Sequence, residues 1–242
     1  MFTTAWEGFV GLGPEAAEER ERPFLERLDE PVRARLLEMG TPQTYESRQA
    51  LMRSGEPGDF VMLLRHGYVK VTSADRMGAT VILDVGVPGD LHGEIAVIAG
   101  GIRMADVVAI EEVHVRRIAA SEFNRFLLDH PAAMREVLVS VARRFVLAQR
   151  QRTQSWKPQA VARVATRLDY LVDVCGIRTP AGWRIGIPLS QDELAQFIPM
   201  GRTMVAQALD KLRKAGVVAS SRRAITVVDR EALRVITEKG VT

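Results

Sequence analysis

The segment GDLHGEIAVIAGGIRMADVVA, residues 89–109, sets a glycine and a carboxylate, Gly93 and Glu94, ahead of an arginine, Arg103. Backbone N–H groups at the start of a short helix after Gly93 can cradle an anion, and a guanidinium supplies a charge-assisted partner. Ile95, Ala96, Met104 and Ala105 complete the segment. The chemistry on offer is recognition of a phosphate-like group. Catalysis is not expected: the chain shows no nucleophile–base pair and no glycine-rich nucleotide loop between a strand and a helix.

A single cysteine, Cys175, cannot form an internal disulfide or supply the thiolates of a zinc or iron–sulfur site. It lies in the apolar helical stretch LDYLVDVCG, which makes it core filler. The four histidines, His66, His92, His114 and His130, show no ligand spacing. Neither a metal nor an iron–sulfur cluster is therefore expected.

A second constellation, LSQDELAQFIPMGRTMVAQALDKLRKAGVVASSRRAITVVD, occupies residues 189–229. Ser190 and Glu193 form a capping box that opens a short helix with Leu194 and Phe197 on its inner face. Pro199 and Gly201 make a turn. A second helix then runs with Met204 or Val205, Ala208 and Leu212 inward and stops at Gly216; VVASSRRAITVVD adds a β-hairpin wing. This is the pattern of a winged helix-turn-helix, whose second helix enters a DNA major groove. Arg202, Thr203 and Gln207 are the candidate base readers, since arginine pairs with guanine and glutamine with adenine. Ser190, Gln191, Lys211, Arg222 and Arg223 are candidate phosphate contacts, fixing register without reading sequence.

Charge divides the chain the same way. Residues 1–142 hold 15 Lys and Arg against 22 Asp and Glu, whereas residues 143–242 hold 18 against 8. A basic half beside an acidic one suits a protein that binds a polyanion at one end. No run approaches the ~18 apolar residues of a membrane helix, and the N-terminus lacks the pattern of a signal peptide. A cytoplasmic protein without a membrane partner is expected.

The elements that position these groups follow from periodicity. Residues 42–118 read as short strands broken by SGEPGD, RHGY, DRMG and VPGD, the spacing of an antiparallel sandwich or jelly roll. PFLERLDEPVRARLLEMG reads as a helix C-capped by Gly40, and SEFNRFLLDH as one N-capped by Ser121. A long helix at 131–156 carries Met134, Leu138, Val141, Phe145 and Ala148 at alternating four and three spacing, the seam of a two-stranded coiled coil. The competing reading is a helix packed on its own sheet. Pro158 places a hinge at 156–159. The divisions are a 1–23 extension, a 24–130 sensor domain, a 131–156 dimerisation helix and a 157–242 DNA-binding domain. The fold class is α+β.

In this order of parts the chain, from about residue 24 to 230, resembles the cyclic-AMP receptor protein/FNR family of transcription regulators. GDLHGEIAVIAGGIRMADVVA is similar to that family's phosphate-binding cassette, and LSQDELAQFIPMGRTMVAQALDKLRKAGVV to its recognition unit. The resemblance implies a cyclic-nucleotide-binding-like jelly roll, a central dimer helix and a winged helix-turn-helix. It also implies a homodimer on a palindromic operator in double-stranded DNA, RNA polymerase as a further partner, and a ligand that reorients the DNA-binding domains. By the same resemblance Gly93 and Glu94 match the Gly-Glu that meets a ribose hydroxyl, and Arg103 the arginine that pairs with a cyclic phosphate. Cyclic AMP is the first ligand to consider.

The match has departures. Met104 stands where cyclic-AMP binders carry Ser or Thr, a lost hydroxyl contact that costs ~0.5–1.5 kcal/mol. Ala148 and Gln149 stand where the family presents Thr and Ser to the adenine; Gln149 retains an amide for the base edge. Arg202 matches the recognition arginine, but Thr203 replaces a glutamate and Gln207 a second arginine, so the operator should differ from the receptor protein's own. The cysteine count excludes cluster sensing. Two alternatives remain open: a ligand-independent regulator with a degenerate cassette, and a cyclic-nucleotide-binding regulatory module of an enzyme.

Overall fold

After a single 3₁₀ turn at Phe24–Arg27, helix α1 (Glu30–Glu38) leads into eight strands: β1 (Thr41–Tyr45), β2 (Ala50–Met52), β3 (Phe60–His66), β4 (Val69–Ala74), β5 (Thr80–Gly86), β6 (Leu91–His92), β7 (Asp106–Ala109) and β8 (Val113–Ala119). The short helix α2 (Glu94–Ala99) sits between β6 and β7. These assignments come from a computed structural model, which describes residues 22–75, 77–154, 159–198, 200–221 and 224–239.

The strands form two antiparallel four-stranded sheets, ordered β1-β8-β3-β6 and β2-β7-β4-β5. Strand β3 shows why they stack. Its side chains alternate, so Met62 and Leu64 enter the core between the sheets with Leu51, Met52, Val69 and Val113, while Val61 and Leu63 enter a second core on the opposite face. That second core is closed by helices, through Phe24, Leu36, Phe123, Phe126 and Val137. A strand buried on both faces reads as a continuous apolar run, as FVMLL does.

Two helix ends differ from the sequence reading. Helix α1 ends at Glu38 with Met39 as its C-cap. Gly40 serves instead the close approach to β8: its φ is +64°, and a Cβ there would lie 2.2 Å from the Arg117 carbonyl oxygen. Helix α3 (Ala120–Asp129) starts two residues early, capped by Ala119, so Ser121 lies inside it. Burial of Phe123, Phe126 and Leu127 on one face sets that helix, rather than a side-chain cap.

Helix α4 (Pro131–Gln154) carries two faces. Ala133 and Val137 are buried on the sensor core, and Glu136 pairs with Arg27 at 2.9 Å. Met134, Leu138 and Phe145 project outward, 43%, 68% and 63% exposed. Ala148 is also exposed, whereas Val141 is half-buried against the sensor core. The helix therefore packs on its own domain along one stripe and leaves the predicted seam, Val141 excepted, uncovered.

The remaining elements are α5 (Ala160–Cys175), β9 (Gly176–Thr179), β10 (Gly182–Ile185), α6 (Gln191–Phe197), α7 (Arg202–Lys214), β11 (Val218–Ser221), β12 (Ala224–Val227) and α8 (Arg230–Lys239). The strands form one sheet, β11-β12-β10-β9. Helix α5 is the hub: Leu168 and Leu171 are fully buried among Phe197, Val205, Leu212 and Leu233. From α5, Arg167 donates Nε and Nη2 to the Phe197 carbonyl and covers the Phe197 ring at 3.9 Å. This binds the last turn of α6 to the hub. Cys175 is core, its thiol donating to the Leu171 carbonyl at 3.2 Å and its pKa pushed up by burial to about 11.

Helix α8 was not anticipated. Arg230 ties it to α5 through Asp169 at 2.6 Å and through Asp173. Of the hinge expected at 156–159, residues 156–158 lie outside the described residues, and Gln159 is the N-cap of α5. The two halves nonetheless share a core, because Ile82 and Val85 of β5 join the cluster of α5, α6 and α7. Lys70 of β4 pairs with Glu193 of α6 at 3.0 Å, and the Tyr170 hydroxyl donates to Asp84.

Candidate ligand cassette and nucleic-acid interface

Gly93 starts α2 with φ +87°, and a Cβ there would sit 2.4 Å from Arg103 Nη1. The glycine thus lets the arginine lie directly on the backbone. Arg103 is 4% exposed; it donates Nη1 to the Gly93 carbonyl at 2.8 Å and Nη2 to the Phe60 carbonyl at 2.5 Å, with its guanidinium over the Phe60 ring at 4.6 Å. Its closest carboxylate, Asp59, is 3.9 Å away and largely exposed. Burial lowers the Arg103 pKa, and Asp59, Glu56 and Glu94 offset this only in part. The cassette therefore holds a buried cation that is incompletely neutralised.

Glu94 is equally buried, yet it does not pair with Arg103. Its Oε1 accepts from Arg144 of α4, which also donates to the Leu91 carbonyl at 2.8 Å. Its Oε2 is buried without a partner. Arg144 was missed in the sequence, where RR in VARRFVLA reads only as part of a basic face. The available signal was its position one turn before Ala148. Beside them His92 is buried with Nε2 unpartnered, its pKa driven down to about 3 by burial and by Arg144.

The other cassette candidates separate. Ala96 is buried, Ile95 and Ala105 are half-buried, and Met104 is 67% exposed. Ala148 and Gln149 are exposed on α4, and Arg144 of the same helix reaches the cassette.

In the helix-turn-helix the capping box is formed. Glu193 N–H donates to Ser190 Oγ at 3.1 Å, and the Ser190 N–H and hydroxyl both donate to Glu193 Oε2, at 3.0 and 2.8 Å. Ser190 thus spends both donors inside the box. Val205, not Met204, is the inward residue, fully buried against 50% exposure. Arg202, Thr203, Gln207, Lys211 and Gln191 are exposed, the first three at the start of α7. Pro199, Arg222 and Arg223 lie outside the described residues; strands β11 and β12 flank the two arginines.

A jelly roll joined to a winged helix-turn-helix on one chain is the architecture of a transcription regulator. The model of the cyclic nucleotide-binding domain matches residues 42–130, and that of the Crp-like helix-turn-helix domain matches residues 162–236. The chain is 24% identical over 192 residues to a CRP-like cAMP-activated global transcriptional regulator of Mycobacterium tuberculosis, covering 79% of this chain and 86% of that one. Its fold is similar to FixK2 from Bradyrhizobium japonicum, with TM-score 0.72 at 20% identity, covering 84% of this chain and all of that one. It is also similar to the c-di-GMP responsive global regulator CLP of Xanthomonas campestris, with TM-score 0.70 at 18% identity, covering 82% and 99% of the two chains. The chain belongs to the CRP/FNR family of transcription regulators. Among the described residues no helix is long and apolar enough to cross a membrane, and no three His, Cys, Asp or Glu gather to hold a metal ion.

Proposed function

We propose that the protein is a homodimeric transcription regulator that takes a cyclic nucleotide, cyclic AMP first, in the cassette and thereby sets its affinity for a palindromic operator. The observation that carries the ligand reading is the buried Arg103 guanidinium, with no carboxylate closer than 3.9 Å, next to the partnerless Oε2 of Glu94. A bound phosphate neutralises the first, and a ribose hydroxyl donates to the second. The residues present therefore fit the ligand class.

Arg103 and the first-turn N–H groups of α2 hold the phosphate, and Glu94 orients the sugar. Arg144 ties Glu94 to α4, so a change at Glu94 is felt on the helix whose outer stripe of Met134, Leu138 and Phe145 meets the second copy. Lys70 and Glu193 join the sensor to α6. DNA is read by Arg202, Thr203 and Gln207 from α7, with Gln191, Lys211, Arg222 and Arg223 on phosphates. The two copies engage half-sites roughly 34 Å apart.

A second reading, a ligand-independent regulator, is favoured by one observation: the Glu94–Arg144 pair and the two carbonyls on Arg103 already engage most of the cassette. Calorimetric titration with cyclic AMP, cyclic GMP and cyclic di-GMP separates the two, with Arg103→Ala as control. Micromolar binding lost in the variant, with operator affinity changed by the same nucleotide, supports the ligand reading. No heat from a protein that still shifts DNA supports the second.

A further inference from the structure

Arg202 is the first residue of α7 and Asp192 the second of α6. The two carboxylate oxygens of Asp192 lie 3.3 and 3.4 Å from one guanidinium nitrogen, Nη1, of Arg202. Nε and Nη2 of Arg202 have no hydrogen bond among the described residues. Both side chains are well exposed, 60% and 67%, and such a pair adds little to folding. They line the same groove of about 540 Å³ between α6, α7 and the wing, with Gln191, Asp210, Arg213 and Ser220.

A carboxylate here suits the first turn of α6 but not a polyanionic partner. The C-terminal half is strongly basic, and the proposed phosphate contacts Gln191 and Lys211 stand on the same two helices. An anion at this place repels every DNA backbone regardless of sequence.

We infer that Asp192 is a positioning residue for DNA reading: it holds the Arg202 guanidinium by one nitrogen so that its remaining donors meet a guanine edge, and it penalises DNA that offers no guanine there. This rests on the reading in which α7 enters the major groove. Arginine has five N–H donors in a rigid plane, so a carboxylate on Nη1 leaves a second edge for the O6 and N7 acceptors of guanine. On a matching site the pair stays intact and is extended by two bonds. On a mismatched site the carboxylate is desolvated beside phosphates with nothing gained, which is specificity by repulsion as well as attraction.

The test uses the full chain and an operator selected from random DNA by the wild-type protein. Dissociation constants are measured on that operator, on its single-base variants and on scrambled DNA across salt. Asp192→Asn is expected to tighten scrambled DNA about threefold and to cut the ratio of specific to non-specific affinity about tenfold, with unchanged melting temperature. The ratio should return towards wild type in Asp192→Glu. Arg202→Ala should erase base preference at one position, and adding Asp192→Asn to it should reduce specificity no further. A ratio within about twofold of wild type for Asp192→Asn, or an additive double variant, overturns the inference and leaves the groove reading standing. Base preference untouched in Arg202→Ala overturns both.

Discussion

Lys70 Nζ lies 3.0 Å from Glu193 Oε1 while Glu193 Oε2 closes the capping box on Ser190, so one carboxylate both starts the first helix of the DNA-reading unit and fastens it to the sensor. Burial opposes ionisation of Glu193, but the Ser190 N–H, the Lys70 ammonium and the Ser190 hydroxyl together hold its pKa below the ordinary value. Its charge is thus secured at neutral pH.

Removing either partner should have unequal effects. Lys70→Ala loses only the interdomain pair and should lower stability by ~1 kcal/mol or less. Glu193→Ala also loses the side-chain half of the capping box, its bonds with the Ser190 N–H and hydroxyl, worth about 0.5–1 kcal/mol more. Thermal melts should therefore rank wild type above Lys70→Ala above Glu193→Ala, and both variants should shift operator affinity in ligand-free protein. Equal melting temperatures for the two variants would count against the double role of Glu193.

Acid should weaken the fold through His92. In the unfolded chain it binds a proton near pH 6.5, but in the folded protein only near about 3. Between those values the unfolded state carries more protons, so stability falls as pH drops, by up to about 1.4 kcal/mol per unit for this one group. Urea midpoints from pH 7 to 4 should show a shallower slope for His92→Leu than for wild type. Parallel curves would remove His92 as the cause.

Gly93→Ala should disable the cassette while sparing the fold. The left-handed backbone costs roughly 1–2 kcal/mol with a side chain present, and the added methyl falls on Arg103 Nη1. Nucleotide affinity should fall at least about tenfold, read by calorimetry, with the circular dichroism spectrum retained.

The outer stripe of α4 separates association from folding. Leu138→Glu and Phe145→Glu alter exposed positions and should give folded monomers by light scattering, whereas Val137→Glu, at 2% exposure, should unfold the sensor. Folded dimers from the double variant Leu138→Glu/Phe145→Glu would refute the seam.

What was legible in the sequence was what neighbours along the chain decide. Ser190 and Glu193 are three residues apart, and the continuous apolar run in FVMLLRH shows β3 within seven residues, so both could be read locally. Arg144 meets Glu94 across fifty positions, and that contact depends on how α4 crosses the sheet end. Arg103 could be singled out from its place in the segment after Gly93, but not its seating on the Phe60 and Gly93 carbonyls. Ser121 and Gly40 were misassigned because burial of one helix face and the approach of β8 outweighed capping propensity. Helix α8 escaped because its anchors, Asp169 and Asp173, lie far back in α5.

The core that runs from β5 into α5, α6 and α7 also bears on dissection and reuse of the protein. A fragment cut at the 155–158 junction would carry away the partners of Ile82 and Val85 and leave both pieces with a greasy scar. Chimaeras that graft this reading head onto another sensor should therefore choose a recipient whose fifth strand offers equivalent aliphatic side chains, or transplant the β4–β5 hairpin with it. Swaps made without either provision should give aggregating proteins.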